Sequence, residues 1–246
     1  MYICLSLTII LTLLISINSF FISNLFGLND KSHNNDRKIH LKDTPNIGGV
    51  IILSTLTVIY FWQLIFVDFK KEILANYLLF FSFFLVGFFD DKLDIKPLTR
   101  IILYSIFIYI AININQNLII DKIYFETFDR FFYLQNLSII FTILCFLLLQ
   151  NSLNMFDGIN GLLILFTIKI LAVIVYYNLT LTNLIIIINL IILFYFNIKT
   201  KYFLGNNGSS IISAIIAISL IETNKLENIV FSSEIIFILL IIPGLD

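Results

Sequence analysis

Three carboxylates and one Gly/Asn turn hold most of the reactive chemistry in this chain. Asp90 and Asp91 stand side by side after Phe88-Phe89, and Asp157 lies within Asn154-Met155-Phe156-Asp157-Gly158-Ile159-Asn160-Gly161. Gly205-Asn206-Asn207-Gly208 follows Phe203-Leu204, and the basic run Arg37-Lys38-Ile39-His40 precedes Pro45 and Gly48-Gly49. Adjacent carboxylates repel, and a bound cation relieves the repulsion. Mg²⁺ takes oxygen ligands, typically one or two carboxylates together with substrate phosphate and water. Gly and Asn accept left-handed backbone, so N–H groups exposed in the 205–208 turn can cradle a phosphate. Asp157 suits either a site carboxylate or a plain helix N-cap, and a helix opening after it would favour an anion. Arg37, Lys38 and His40 suit phosphate binding, or simple anchoring at the membrane surface. The chemistry these types share is metal-assisted work on a phosphorylated substrate.

The elements that must position these groups are apolar helices. The chain has 246 residues, 59% of them hydrophobic and 13% charged, with mean hydropathy +1.00. A soluble domain is nearer ~45–50% apolar and ~25% charged. Nine apolar segments lie near 2–26, 47–67, 73–89, 98–114, 137–153, 159–177, 183–196, 209–221 and 235–246. About 20 such residues span a bilayer, and the alternation of a β-barrel is absent. The expectation is therefore an all-α polytopic integral membrane protein with about nine transmembrane helices. The first apolar run lacks the basic n-region of a signal peptide, and its first positive charge, Lys31, follows it, which favours an outside N-terminus. Alternation then puts nine Lys/Arg inside and five outside, with Lys169 within a span. More telling, all four polar clusters fall at one face. Segment 115–136, on the other face, alternates over Ile120–Phe125 as a small hairpin would. A net charge of −1 gives no sign of a nucleic-acid partner. Cys4 and Cys145 sit in apolar runs and suggest neither a disulfide nor a metal site.

Taken together, four stretches resemble the polyprenyl-phosphate N-acetylhexosamine-1-phosphate transferases, glycosyltransferase family 4, which include phospho-N-acetylmuramoyl-pentapeptide transferase. They are Arg37-Lys38-Ile39-His40 with Pro45 and Gly48-Gly49; Gly87-Phe88-Phe89-Asp90-Asp91-Lys92; Asn154 through Leu162; and Phe203 through Ser209. The resemblance covers residues ~30–246 in order, as one transferase domain over 1–246. It implies that a polyprenyl phosphate attacks the β-phosphorus of a UDP-amino sugar at the cytoplasmic face of a bacterial plasma membrane. UMP leaves, and Mg²⁺, with Mn²⁺ as a substitute, serves as cofactor. Asp90 would orient or deprotonate the lipid phosphate, with Asp91 beside it in the metal shell and Asp157 supporting nucleotide or metal. Asn206 would complete the metal shell. Arg37, Lys38, His40, Asn154, Asn160, Gly205 and Asn207 would bind substrate. The partners are the UDP-amino sugar, the polyprenyl phosphate and the bilayer, with a homodimer left open.

The form of the first and third motifs looks more like the O-antigen, enterobacterial-antigen and teichoic-acid branch, hence lipopolysaccharide or cell-wall precursors, than the peptidoglycan branch. Two residues depart from the family pattern: Asn206 stands where an Asp is usual, and Asn160 where a second Asp is. The His-rich loop of the family would follow the ninth segment, so the chain is expected to be truncated at its C-terminus and incomplete as a domain, with a catalytically inactive remnant of the family as an alternative. A transporter or channel is the weaker reading, since no internal repeat is visible and the acids gather at one face.

Overall fold

The axis of the fold is the least hydrophobic of the long helices. The computed structural model describes residues 2–30, 43–66, 71–225 and 230–245. Helix α9 (Gly205–Asn224) is buried without interruption from Asn207 to Leu220. Gly208, Ser209, Ser210, Ser213, Ala214 and Ala217 give it a narrow profile. Around it pack α3 (Gly48–Phe66), α4 (Lys71–Leu93), α6 (Ser138–Phe156) and α7 (Leu162–Tyr177). Helix α5 (Pro97–Ile114), with proline in its first turn, bridges α4 and α6. Helices α1 (Tyr2–Ile17) and α8 (Leu181–Ile198) cover α3, and α10 (Ser233–Leu245) leans on α6.

The patterning is inside-out, as a lipid environment requires. Helix α1 turns Cys4, Thr8, Thr12 and Ser16 inward at four-residue spacing, and leaves Ile3, Leu7, Ile10 and Leu14 exposed. Between helices in lipid there is no hydrophobic drive, so small and hydrogen-bonding residues make the contact. Thr12 Oγ1 donates to Asn189 Oδ1 of α8 at 2.7 Å, and Asn189 Nδ2 donates to Thr8 Oγ1 at 3.1 Å. Helix α2 (Ser19–Phe26) breaks from α1 by 79°.

All nine apolar segments are helical, the first as the bent pair α1–α2. By length and composition, five helices qualify to cross a membrane among the described residues: α3, α4, α5, α8, and α6 with the 3-10 turn Gln135–Leu137 before it. The bent pair would make a sixth, while α7 and α10 are apolar but shorter. Helix α9 falls outside that set because its small, polar residues suit contact with other helices rather than hydrocarbon.

Two short ladders complete the chain. The expected hairpin forms between β3 (Lys122–Phe125) and β4 (Arg130–Tyr133), antiparallel, with Lys122 opposite Tyr133. At the other end β1 (Asn29–Asp30) pairs with β2 (Thr44–Pro45). There, the ends of α3, α4 and α9 meet backbone to backbone. A Cβ at Gly49 would stand 2.6 Å from the Asn207 carbonyl oxygen, and one at Gly87 would stand 2.7 Å from Asn207 Cα.

Neither backbone has room to give. Gly49→Ala or Gly87→Ala should each cost ~1–3 kcal/mol through overpacking, read as a lower thermal midpoint in detergent. Gly158→Ala should be neutral, since its added carbon would meet nothing nearer than 3.9 Å. Equal midpoints for all three would show that this junction is not tight.

Candidate active site

The first turn of a helix offers N–H groups with no partner inside the helix, and its dipole favours an anion there. In α9 those groups belong to Asn206 and Asn207, and the anion is Asp91. Its Oδ1 accepts from the Asn206 N–H at 2.9 Å. Its Oδ2 accepts from the Asn207 N–H at 2.9 Å and also from Asn207 Nδ2. Asp91, near the end of α4, thus caps α9 from a neighbouring helix. This corrects the expectation of a free phosphate cradle at 205–208: the turn is the first turn of α9, and a carboxylate of the protein already occupies its N–H groups. Only Gly205 takes the left-handed backbone, at φ +73°.

Asp90 points elsewhere and is buried. Its Oδ2 accepts from Arg100 Nη1 at 2.6 Å and from Asn206 Nδ2 at 2.9 Å, and its Oδ1 accepts from the Ile95 N–H at 3.1 Å. Asn206 therefore ties the two carboxylates together, through its backbone to Asp91 and its side chain to Asp90. Asn207 is fully buried, donating to the Asn46 carbonyl at 3.0 Å and accepting from the Gly49 N–H at 2.7 Å. Phe203 N–H donates to the Pro45 carbonyl at 2.8 Å, and Gly48 N–H donates to the Phe203 carbonyl at 3.2 Å. These bonds stitch the chain before α3 to the chain before α9.

From the other side, Asn154 in the last turn of α6 accepts from Ser209 Oγ at 2.7 Å. Asp157 closes α6, and does not cap the next helix: α7 begins after Gly161, which sits at φ +81°. Burial, and then the nearby charge of Asp91, push the Asp157 carboxyl up to about 8. Asn160 is exposed, and its side chain bonds to none of the described residues. Arg37, Lys38 and His40 lie outside the described residues. The structure thus brings together Asp90, Asp91, Asn154, Asp157, Gly205, Asn206 and Asn207, at one end of the bundle.

Two residues escaped the sequence reading. Arg100, outside every motif, is the counter-ion of Asp90. Asn46, between Pro45 and Gly48, accepts from Asn207 through its carbonyl, and its Oδ1 is buried with no partner among the described residues. Spacing within one motif reveals neither, because both partnerships cross between motifs.

Among the described residues no group of three His, Cys, Asp or Glu is gathered closely enough to hold a metal. What the site offers is two mutually repelling carboxylates, Asp91 and Asp157, with the amide oxygen of Asn206. This all-oxygen set fits a hard cation shared with substrate phosphates, and not a cage made by protein alone.

This chain belongs to glycosyl transferase family 4, whose model matches residues 73–224. The matched region runs from α4 to the end of α9 and contains all three carboxylates, whereas Gly48-Gly49 precedes it. A phospho-N-acetylmuramoyl-pentapeptide-transferase of Wolbachia sp. subsp. Brugia malayi (strain TRS) is 32% identical, over 49% of this chain and 39% of that protein. The match spans about two fifths of the relative's length.

Arg100→Gln would strand the Asp90 charge, whose side chain is only 4% exposed. The cost should lie at the lower end of ~3–5 kcal/mol, because the guanidinium itself is 23% exposed. The pair Asp90→Asn with Arg100→Gln should recover part of it, and additive losses in the thermal midpoint would show the two are uncoupled. Asp157 makes a separate prediction. Its raised value favours the protonated form in the fold, a contribution whole below the ordinary carboxylate range and lost as pH rises through about 8. In chelator-treated protein the midpoint should fall between about pH 4 and pH 8 and level off above, and Asp157→Asn should flatten that slope. A slope unchanged in the variant would assign it to another group.

Proposed function

We propose that this protein transfers an N-acetylhexosamine 1-phosphate from a UDP-sugar to polyprenyl phosphate, releasing UMP and leaving a lipid-diphosphate sugar. The observation that carries the reading is the meeting of Asp90-Asp91, Asp157 and the α9 N-terminus at one end of an apolar bundle. In this reaction an oxygen of the lipid phosphate bonds to the β-phosphorus. The bridging bond to the α-phosphate breaks, and its electron pair leaves with UMP. Such transfers depend on positioning and charge neutralisation more than on covalent help. In this reading Asp91 and Asp157 face the diphosphate, Asn206 presents its amide oxygen beside them, and Asp90 with Arg100 holds the helix ends in place. Mg²⁺ held there by Asp91, Asp157 and Asn206 would supply Lewis-acid neutralisation of phosphate charge.

We also infer nine crossings, an outside N-terminus and a site at the cytoplasmic face of a bacterial plasma membrane. The bias of nine Lys/Arg against five supports that orientation. A second reading, favoured by the name of the Wolbachia relative, makes the donor a UDP-N-acetylmuramoyl-pentapeptide.

The test is UMP release by purified protein with undecaprenyl phosphate, offered either donor, with and without Mg²⁺. Release should require Mg²⁺ and fall by ~10²-fold or more in Asp91→Asn. Wild-type rates in both Asp90→Asn and Asp91→Asn would remove the assigned site. Asn206→Asp should lower the Mg²⁺ concentration needed for half-maximal rate, and an unchanged requirement would place residue 206 outside the metal shell.

A further inference from the structure

Between the α1–α2 bend and the connection from α8 to α9 lies an open groove of about 490 Å³. Its lining is of two kinds. Ile17, Phe20 and Phe21 are apolar and exposed, whereas Asn18, Ser19, Thr200 and Lys201 are polar or charged. Helix α2 buries Ser19 and Ser23 and turns Phe20, Phe21 and Leu25 outward. That is the arrangement of a helix lying in a membrane interface with its apolar face in the acyl region.

Among the described residues the cations beside the groove have no anionic partner. Lys201 Nζ rests 5.2 Å from the centre of the Phe196 ring, and Lys199 Nζ lies 4.1 Å from that of Tyr195. Among the described residues neither pairs with a carboxylate, whereas Lys225, at the far end of the bundle, pairs with Asp121 at 3.3 Å. Thr200, between the two lysines, is β-branched and yet left-handed, at φ +52°. Such backbone is strained and is concentrated at ligand clamps and active sites.

We propose that this groove binds an anionic membrane phospholipid, its phosphate against Lys201 and Thr200 and its first methylenes along Phe20 and Phe21. Charge complementarity selects an anionic headgroup over a zwitterionic one, and the apolar wall selects a lipid over free phosphate. Occupancy bears on the site because the chain from the groove to the carboxylates is short and held. Tyr202 is fully buried, its hydroxyl 3.1 Å from Ser16 Oγ, and its carbonyl accepts from Asn197 Nδ2 at 2.9 Å. Three residues beyond it Gly205 opens α9 against Asp91. A headgroup on Lys201 therefore clamps the segment that presents the α9 N-terminus. This site does not depend on the transferase reading, since its readout is stability.

The experiment is thermal unfolding in a neutral detergent titrated with phosphatidylglycerol, phosphatidylcholine or undecaprenyl phosphate. Phosphatidylglycerol should raise the midpoint by several degrees and phosphatidylcholine should not. Lys201→Gln or Phe21→Ser should abolish most of that rise, whereas Lys225→Gln, the same loss of charge at the other end, should retain it. An equal rise in Lys201→Gln, or no rise in wild type, would overturn the proposal. Saturation by undecaprenyl phosphate at a concentration well below that of phosphatidylglycerol would also overturn it, by assigning the groove to the acceptor lipid.

Discussion

A carboxylate on one helix capping the N-terminus of another is the interaction on which the rest of this site depends. Asp91 accepts from both N–H groups of the opening turn of α9, and Asn207 returns a side-chain bond to the same carboxylate. The geometry is available only because α3, α4 and α9 approach with glycine at the contacts. Any side chain at residue 49 or 87 would hold the helices apart by more than a hydrogen bond can stretch. The fold therefore spends its closest packing at the end of the bundle where the charges lie. The opposite end is closed more loosely, by a two-stranded hairpin and the pairing of Lys225 with Asp121.

This arrangement reconciles two demands that conflict in a membrane. Carboxylates at the edge of hydrocarbon are costly unless hydrogen-bonded or paired. Asp90 meets the demand with a guanidinium and an amide, and Asp91 with a helix terminus. Among the described residues Asp157 has neither: burial pushes the Asp91 carboxyl up to about 6 despite its hydrogen bonds, and that of Asp157 further, to about 8. Of the three it is the one with unspent electrostatic need, and so the one whose environment a cation or a substrate would change most.

The sequence disclosed the helices well, because lipid imposes long apolar runs that hydropathy detects without knowledge of packing. It disclosed the gathering of motifs as well, since an alternating bundle sends every second connection to the same end. It misjudged what depends on which helix touches which. Of the two roles open to Asp157, the N-cap does not form, because the turn continues to Gly161 before α7 can start. The Gly/Asn turn read as an open anion cradle because nothing local announces that Asp91, 114 residues earlier, fills it. Arg100 and Asn46 were invisible for the same reason. Helix α9 is less apolar than the other long helices because a helix wrapped by four others needs small residues more than apolar ones.

Asn206 brings these points together. Its side-chain N–H donates to Asp90 while its backbone N–H donates to Asp91, so it is a bridge between two like charges that need one. An aspartate at this position could accept but not donate, and would set a third carboxylate against Asp90 with only Arg100 to balance them. Such a site would be unstable until a cation arrived, and correspondingly avid for it. With asparagine, the side chain donates to one carboxylate while its backbone N–H donates to the other, and the amide oxygen bonds to none of the described residues. On the proposed Mg²⁺ reading the substitution would trade affinity for preorganisation, leaving the substrate phosphates to help bring the ion.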